Sequence, residues 1–219
     1  VLASGISRLQ AQARAGASVS DGARWLAKVF VDQVNGELRR DTPSLPYAMR
    51  QQVWRLLSVA AEHPDPSPEE SSPNSDDLSI AINSVRGRAH EAVISYAFWV
   101  LRNSEPNPPE RAVLTVQAPE VGALLELHLD EQIEPSPAIR AVFGSHLARL
   151  RWLDVNWFDR LKSRLLPSTE ASDALRRATF EANVRWNQAG SVPFSALQQG
   201  YRLEVDELVA SESNDRRNR

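Results

Sequence analysis

The side chains best suited to acid–base or metal chemistry in this chain are its four histidines, and their neighbours decide what each could do. His90-Glu91 opens like the zinc-binding helix pattern H-E-x-x-H, but the residue that should be the second ligand is Ile94. A metal-binding helix needs that second histidine one turn on, on the same face. His90 is therefore expected as a helix-surface or partner-contact residue. Glu126, His128 and Asp130 are close in sequence, yet on a helix residues two apart point about 200° from each other, so they are not expected to share a metal. His146 sits three residues before Arg149 with no nucleophile or carboxylate placed beside it by spacing. No serine stands in G-x-S-x-G. Gly87 lacks the lysine and second glycine of a phosphate-cradling loop. The absence of cysteine excludes thiolate zinc sites, iron–sulfur clusters and a cysteine nucleophile. The expectation is a chain with no catalytic, cofactor-binding or metal-binding residue, and an enzyme with a dispersed site is the weakest alternative.

The other chemistry on offer is electrostatic. Arg149, Arg151, Arg160, Lys162 and Arg164 fall within sixteen residues, interleaved with Trp152 and Trp157. Arg160 and Arg164 are one helical turn apart and share a face. Such a patch can contact phosphates or an acidic partner, with an affinity that falls with salt. The plainer reading is that both tryptophans are core and the arginines are solvated or paired with Asp154 and Asp159.

The elements that would carry these residues are helical. Apolar residues recur at three-four spacing: Trp25, Val29, Phe30, Val34 and Leu38; Met49, Val53, Leu56, Leu57 and Ala60; Leu78, Ile82, Val85, Ala89, Val93, Tyr96 and Val100. The last set predicts one long helix over 78–102 whose second half is apolar on nearly all sides, so that it has neighbours on several faces. Residues 111–118 are ambiguous between extended chain and a short helix. Further helices start at Pro119, at Ser136-Pro137, after Asp154 as cap, near Glu170 and at Pro193. The total is about eight, joined by short proline-marked turns. Strand alternation and Gly-rich hairpins do not persist.

The division expected is an N-terminal helical pair over 1–62, an exposed acidic Pro/Ser-rich linker over 63–77, a helical domain over 78–210 and a frayed tail over 211–219. Net charge is −3, but residues 1–61 carry +4, residues 62–134 carry −10 and residues 139–187 carry +4; such asymmetry either marks a partner surface or is satisfied internally. The longest strongly apolar run, Ala92 to Leu101, is too short for a membrane helix, which needs about 20 residues. With no export signal visible, the cytoplasm is favoured. Val1 in place of an initiating methionine suggests a piece of a larger protein.

One short pattern recurs: an aliphatic residue followed by arginine near the start of a helix, at Val85-Arg86, Ile139-Arg140 and Leu175-Arg176. The spacing averages 45 residues, within the range of about 40–47 typical of HEAT-type repeats. Residues 119–150, PEVGALLELHLDEQIEPSPAIRAVFGSHLARL, resemble a HEAT repeat, with Asp130 at the turn and Arg140 opening the second helix. The resemblance implies an all-α fold of antiparallel helix pairs stacked as a short solenoid, in which Asp130, Arg86 and Arg140 are structural ties between repeats. More broadly, residues 78–210 look like the helical C-terminal part of large bacterial ATP-binding proteins, some of them in anti-phage defence. That likeness implies a non-catalytic scaffold or sensor segment whose partner is another protein or the rest of its own chain. The alternative is a module that contacts nucleic acid through the 149–164 stretch.

Overall fold

The computed structural model describes residues 2–15, 20–41, 45–67, 76–104, 111–187, 197–206 and 209. Their regular secondary structure is helical, apart from a single isolated bridge between Ala112 and Asp154. The helices are α1 (Leu2–Ala15), α2 (Asp21–Leu38), α3 (Arg50–Ala61), α4 (Asp77–Asn83), α5 (Val85–Asn103), α6 (Pro119–Leu127), α7 (Pro137–Ser145), α8 (Leu147–Leu153), α9 (Val155–Leu165) and α10 (Asp173–Trp186), followed by α11 over 197–206. A 3-10 turn at Tyr47–Met49 leads into α3, and a π turn at Val113–Gln117 fills the segment that was ambiguous by sequence.

The helix expected over 78–102 is two helices, and the break has a clear cause. Ser84 is extended (φ −104°, ψ 158°) and accepts from Gly87 N at 3.1 Å. Asp65, twenty residues upstream, accepts the next free amide: its carboxylate takes Val85 N at 2.6 Å and its carbonyl takes Arg86 N at 2.8 Å. The first amides of α5, which have no partner within the helix, are thus capped from two directions. This also corrects the reading of residues 63–67 as exposed linker, because His63 is fully buried and Asp65 nearly so. Residues 68–75 of that segment, and the tail over 211–219, lie outside the described residues.

α5 is the axis of the fold. Val85, Ala89, Ala92, Val93, Ile94, Tyr96, Ala97, Trp99 and Val100 are buried around almost its whole circumference, as its apolar second half requires, and it packs against α2, α3, α4 and α7. α7 in turn packs against α4 and, most extensively, α10. Two buried clusters result. The larger joins α1–α3 to α5, α6, α8 and α9. The smaller, Leu78, Ala81, Ala138, Ala141, Val142, Ala178 and Ala182, is built mainly of alanine, and it lets α4, α7 and α10 approach closely. Glycine does the same at Gly144, where a Cβ would collide with the backbone carbonyl of Thr179. Asp154 caps α9, its carboxylate accepting from Trp157 N at 2.9 Å and from Thr115 Oγ1 at 2.8 Å.

Candidate functional site

α3 and α6 touch at both ends through polar side chains. At their starts, Arg50 donates to the Glu120 carboxylate at 2.8 Å and to Gln117 O at 2.6 Å, while Tyr96 OH donates to the same carboxylate at 3.0 Å. Burial opposes the charge on Arg50, but its bonds to Glu120 and Tyr96 prevail and hold the guanidinium firmly protonated. Burial also pushes the Tyr96 phenol up. At their ends, Glu62 accepts from His128 Nε2 at 3.2 Å. The two helices therefore lie side by side in the same sense. Between them runs an open groove of about 570 Å³ lined by Trp54, Val59, Leu124 and Leu127, with Glu62 and Glu120 at its two ends.

Behind Glu62 lies a buried relay. His128 holds Glu62 on one ring nitrogen and Glu134 on the other, the latter at 3.4 Å. Glu134, only 2 % exposed, also pairs with Arg86 Nε at 3.1 Å and accepts from Ser136 N at 3.2 Å. Arg86 continues the chain to His63 O (3.1 Å) and Pro66 O (2.9 Å). Burial alone would discharge His128, but bonds to Glu134 and Glu62 outweigh it and raise its pKa above the ordinary imidazole value. The ring of His90 stands against that of His128. His90 is completely buried, and burial together with the charge on His128 drives its pKa well down. The expectation of His90 as a surface or partner-contact residue is thus replaced by a neutral core imidazole. Its Nδ1 donates to Arg86 O at 2.8 Å, and its Nε2 has no hydrogen-bond partner among the described residues.

Of the remaining histidines His63 is fully buried and His146 half-buried. His63 accepts from Asp65 N at 3.1 Å, and burial lowers its pKa to about 4. His146 lies against Ser145 Oγ (2.8 Å) and Val142 O (3.1 Å), and burial with the Arg149 charge beside it lowers its pKa to about 3. Among the described residues no group of three or more histidine, cysteine or acidic side chains is placed to hold a metal.

Of the three residues expected as ties between repeats, Arg86 and Arg140 bond to segments distant in sequence, whereas Asp130, among the described residues, bonds only within its own turn. Arg140 is fully buried, donating to Arg164 O in α9 (2.8 Å) and to Leu129 O just past α6 (2.5 Å), and burial lowers its pKa to about 10. Asp130 is not bonded to it; its carboxylate accepts from Gln132 N in the turn. Arg176, the third of the aliphatic–arginine pairs, bonds to Asp173 and Glu204.

The basic stretch is divided between faces. Arg160 grips the Glu126 carboxylate (2.6 and 3.2 Å) and Arg164 donates to Glu126 O at 2.9 Å. The carboxylate of Glu126 is held low chiefly by Arg160. Lys162 lines a shallow cleft beside α11, and the Arg151 Nε is buried without a partner among the described residues. Trp157 is core, as the plainer reading had it, whereas Trp152 remains 42 % exposed. Arg149 lies over the ring of Phe98. The spacing along 149–164 could not reveal this division, because the partners lie in α5 and α6.

Compared with protein-family models, with curated proteins and with solved structures, the chain matches none. No helix among the described residues is long and apolar enough to cross a membrane.

Proposed function

We propose that this chain is a non-catalytic interaction segment, a short HEAT-like solenoid that offers the groove between α3 and α6 to an amphipathic helix of a protein partner. The observation that carries the reading is the composition of that groove: Trp54, Val59, Leu124 and Leu127 between two carboxylates, Glu62 and Glu120. A helix with one apolar residue per turn and lysine or arginine at its flanks complements it. The solenoid reading draws on the succession of packed pairs α2–α5, α5–α7 and α7–α10, on the common direction of α3 and α6, and on Arg86 and Arg140, each of which opens a helix and donates to a carbonyl in the segment before it. The non-catalytic reading is supported by the use of these arginines, and of His128, to fasten helix ends. On this reading the segment serves as a scaffold or sensor, the role that the resemblance of residues 78–210 to the helical part of bacterial ATP-binding proteins implies.

A photo-crosslinking residue at Leu127, which is 45 % exposed, tests the groove in cells, with Arg177 on α10 as the reference position. The expected product is specific to Leu127, and its crosslinked segment has the apolar and basic pattern above. A synthetic peptide of that segment should bind the purified chain and lose at least about tenfold in affinity on Leu127→Glu, as a lost hydrophobic contact of about 1.4 kcal/mol implies. Equal crosslinking from both positions, or peptide binding indifferent to Leu127→Glu, overturns the proposal.

A further inference from the structure

A cavity of about 750 Å³ lies between α1 and α2, and it shares no lining residue with the groove between α3 and α6. It is larger than that groove, and its volume falls within the roughly 300–1,000 Å³ of small-molecule sites. The two helices are held together at both ends of it. At one end a Cβ on Gly5 would run into the ring of Phe30, so glycine is what lets α1 and α2 come this close. At the other end Gln12 donates from Nε2 to Ala23 O at 3.1 Å, and its Oε1 accepts from His63 Nε2 at 3.0 Å. Seven residues separate Gly5 from Gln12, about 10 Å of helix. Leu9, only 2 % exposed, lies between them on the same face.

The lining has one charge. Leu9, Leu26, Val29 and Phe30 make its walls apolar, and Leu26 is left 54 % exposed. Arg8 stands on the edge of α1 midway between Ser4 and Gln12, one turn from each. No carboxylate lines the cavity, and α1 contains none. Those of α2 are engaged elsewhere: Asp21 with Arg24, Asp32 with Lys28 and Arg88, and Glu37 with Arg40. Arg8 is exposed and has no ion pair among the described residues. A single cation beside an apolar hollow complements a molecule with one anionic head and a hydrocarbon body. A nucleotide or a sugar acid would leave its polar groups unpaired against Leu9, Leu26 and Phe30, and an apolar peptide with basic flanks would meet Arg8 with the wrong sign.

We propose that the cavity between α1 and α2 binds a medium-chain fatty acid, its carboxylate on Arg8 and its chain along Leu9, Leu26 and Phe30. This site is independent of the groove between α3 and α6 and goes beyond the reading of the chain as an interaction segment.

The test is isothermal titration of the whole chain with octanoate, nonanoate and decanoate, and with decanol and decylammonium as probes of the head group, all below their micelle concentrations. Decanoate is expected to bind best, with affinity rising about three- to fourfold per methylene along the acid series, the increment for a buried methylene. Arg8→Gln should weaken decanoate about two- to fivefold, the effect of an exposed ion pair, and leave decanol unchanged, a split that a loss of folding would not produce. Arg8→Lys should restore most of the loss. Leu26→Glu, also at an exposed position, should weaken decanoate at least about tenfold with unchanged thermal melting. Undetectable binding of the acids, equal affinity for decanoate and decanol, or indifference to Arg8→Gln and Leu26→Glu overturns the proposal. Dimerisation of the ligand-free chain that Leu26→Glu abolishes assigns the cavity to a second copy and overturns it too. The groove between α3 and α6, with Glu62 and Glu120 at its ends, would instead favour decylammonium and respond to Leu127→Glu. Binding of that pattern overturns the fatty-acid site and leaves the groove reading standing, so the two failures are distinguishable.

Discussion

The ring of His90 stands edge-on to the ring of His128, 4.5 Å between centroids at an interplanar angle of 77°, and the two imidazoles are driven in opposite directions. His128 is kept protonated by Glu134 and Glu62 against the pull of burial; His90, with no carboxylate partner, is discharged by burial and by the positive ring beside it. One charged and one neutral histidine in contact satisfy both sites, since two imidazolium rings in a buried space would repel.

The raised pKa of His128 sets the sign of a pH dependence. Its contribution to stability is fully present below the unfolded value near 6.5 and is lost as pH rises through the higher folded value. His128→Gln should therefore cost about 1–3 kcal/mol near pH 6, the range for hydrogen bonds involving a charged group, and the gap from wild type should shrink between pH 6 and 9. Urea unfolding across that range measures it. A ring titration by NMR that places His128 at or below the ordinary imidazole value would contradict this assignment.

The other histidines act on the acid side. His63, His90 and His146 are held neutral by burial. Their contribution is present above about pH 6.5 and is lost as pH falls below it, because the unfolded chain takes up protons that the folded one refuses. Each such histidine gives a slope of about 1.4 kcal/mol per pH unit, so the three together make stability fall by up to about 4 kcal/mol per unit between pH 6 and about 4. The carboxylates of Glu62, Asp76 and Glu126, all held low by cationic partners, extend the loss to lower pH. His146→Gln should remove about a third of the slope above pH 4.5. A urea midpoint that stays level from pH 6.5 to 4.5 would exclude the mechanism.

Glycines separate close packing from helix propensity. In α7, Gly144→Ala improves propensity by about 1 kcal/mol but drives a Cβ into the Thr179 carbonyl of α10. The backbone cannot yield as a side chain would, so a net loss of about 1–3 kcal/mol is expected. Gly36→Ala in α2 meets nothing within 4 Å and should stabilise by up to about 1 kcal/mol. Thermal melting of the two variants should move in opposite directions; a shared direction would mean that α7 and α10 are less tightly apposed than described.

Helix identity was largely legible because it is written locally: each three-four stripe names its own buried face, and Asp154 at the head of α9 caps as its position suggests. The break at Ser84 was not, because the stripe from Leu78 to Val100 runs through it; what divides the helix is Asp65, twenty residues away. The buried relay was illegible for the same reason. In sequence His128 stands between Glu126 and Asp130, whereas its partners are Glu62 and Glu134, brought there by the direction of α3 and by the turn before α7. Even the basic stretch misled by adjacency: Arg149 belongs with Phe98 of α5, and Arg160 with Glu126 of α6.

Arg140 and Arg86 share a role in sequence, yet their loss should differ in kind. Arg140 has no carboxylate in bonding contact among the described residues; it supplies donors to the carbonyls of Leu129 and Arg164. Arg140→Met fills much of the same space and removes a buried charge, but it leaves two buried carbonyls without those donors, for an expected cost of about 2–4 kcal/mol. That cost should not change with pH between 5 and 9. Arg140→Lys should recover at most one of the two bonds, since a single ammonium cannot span both helix ends as the planar fork does. Arg86→Met removes a cation from beside buried Glu134 together with the donors to the carbonyls of His63 and Pro66, so it leaves a buried carboxylate with fewer positive partners and should cost more than Arg140→Met in urea unfolding at pH 7. Equal costs in the two variants would show that Arg86 and Arg140 fasten the helices by the same means.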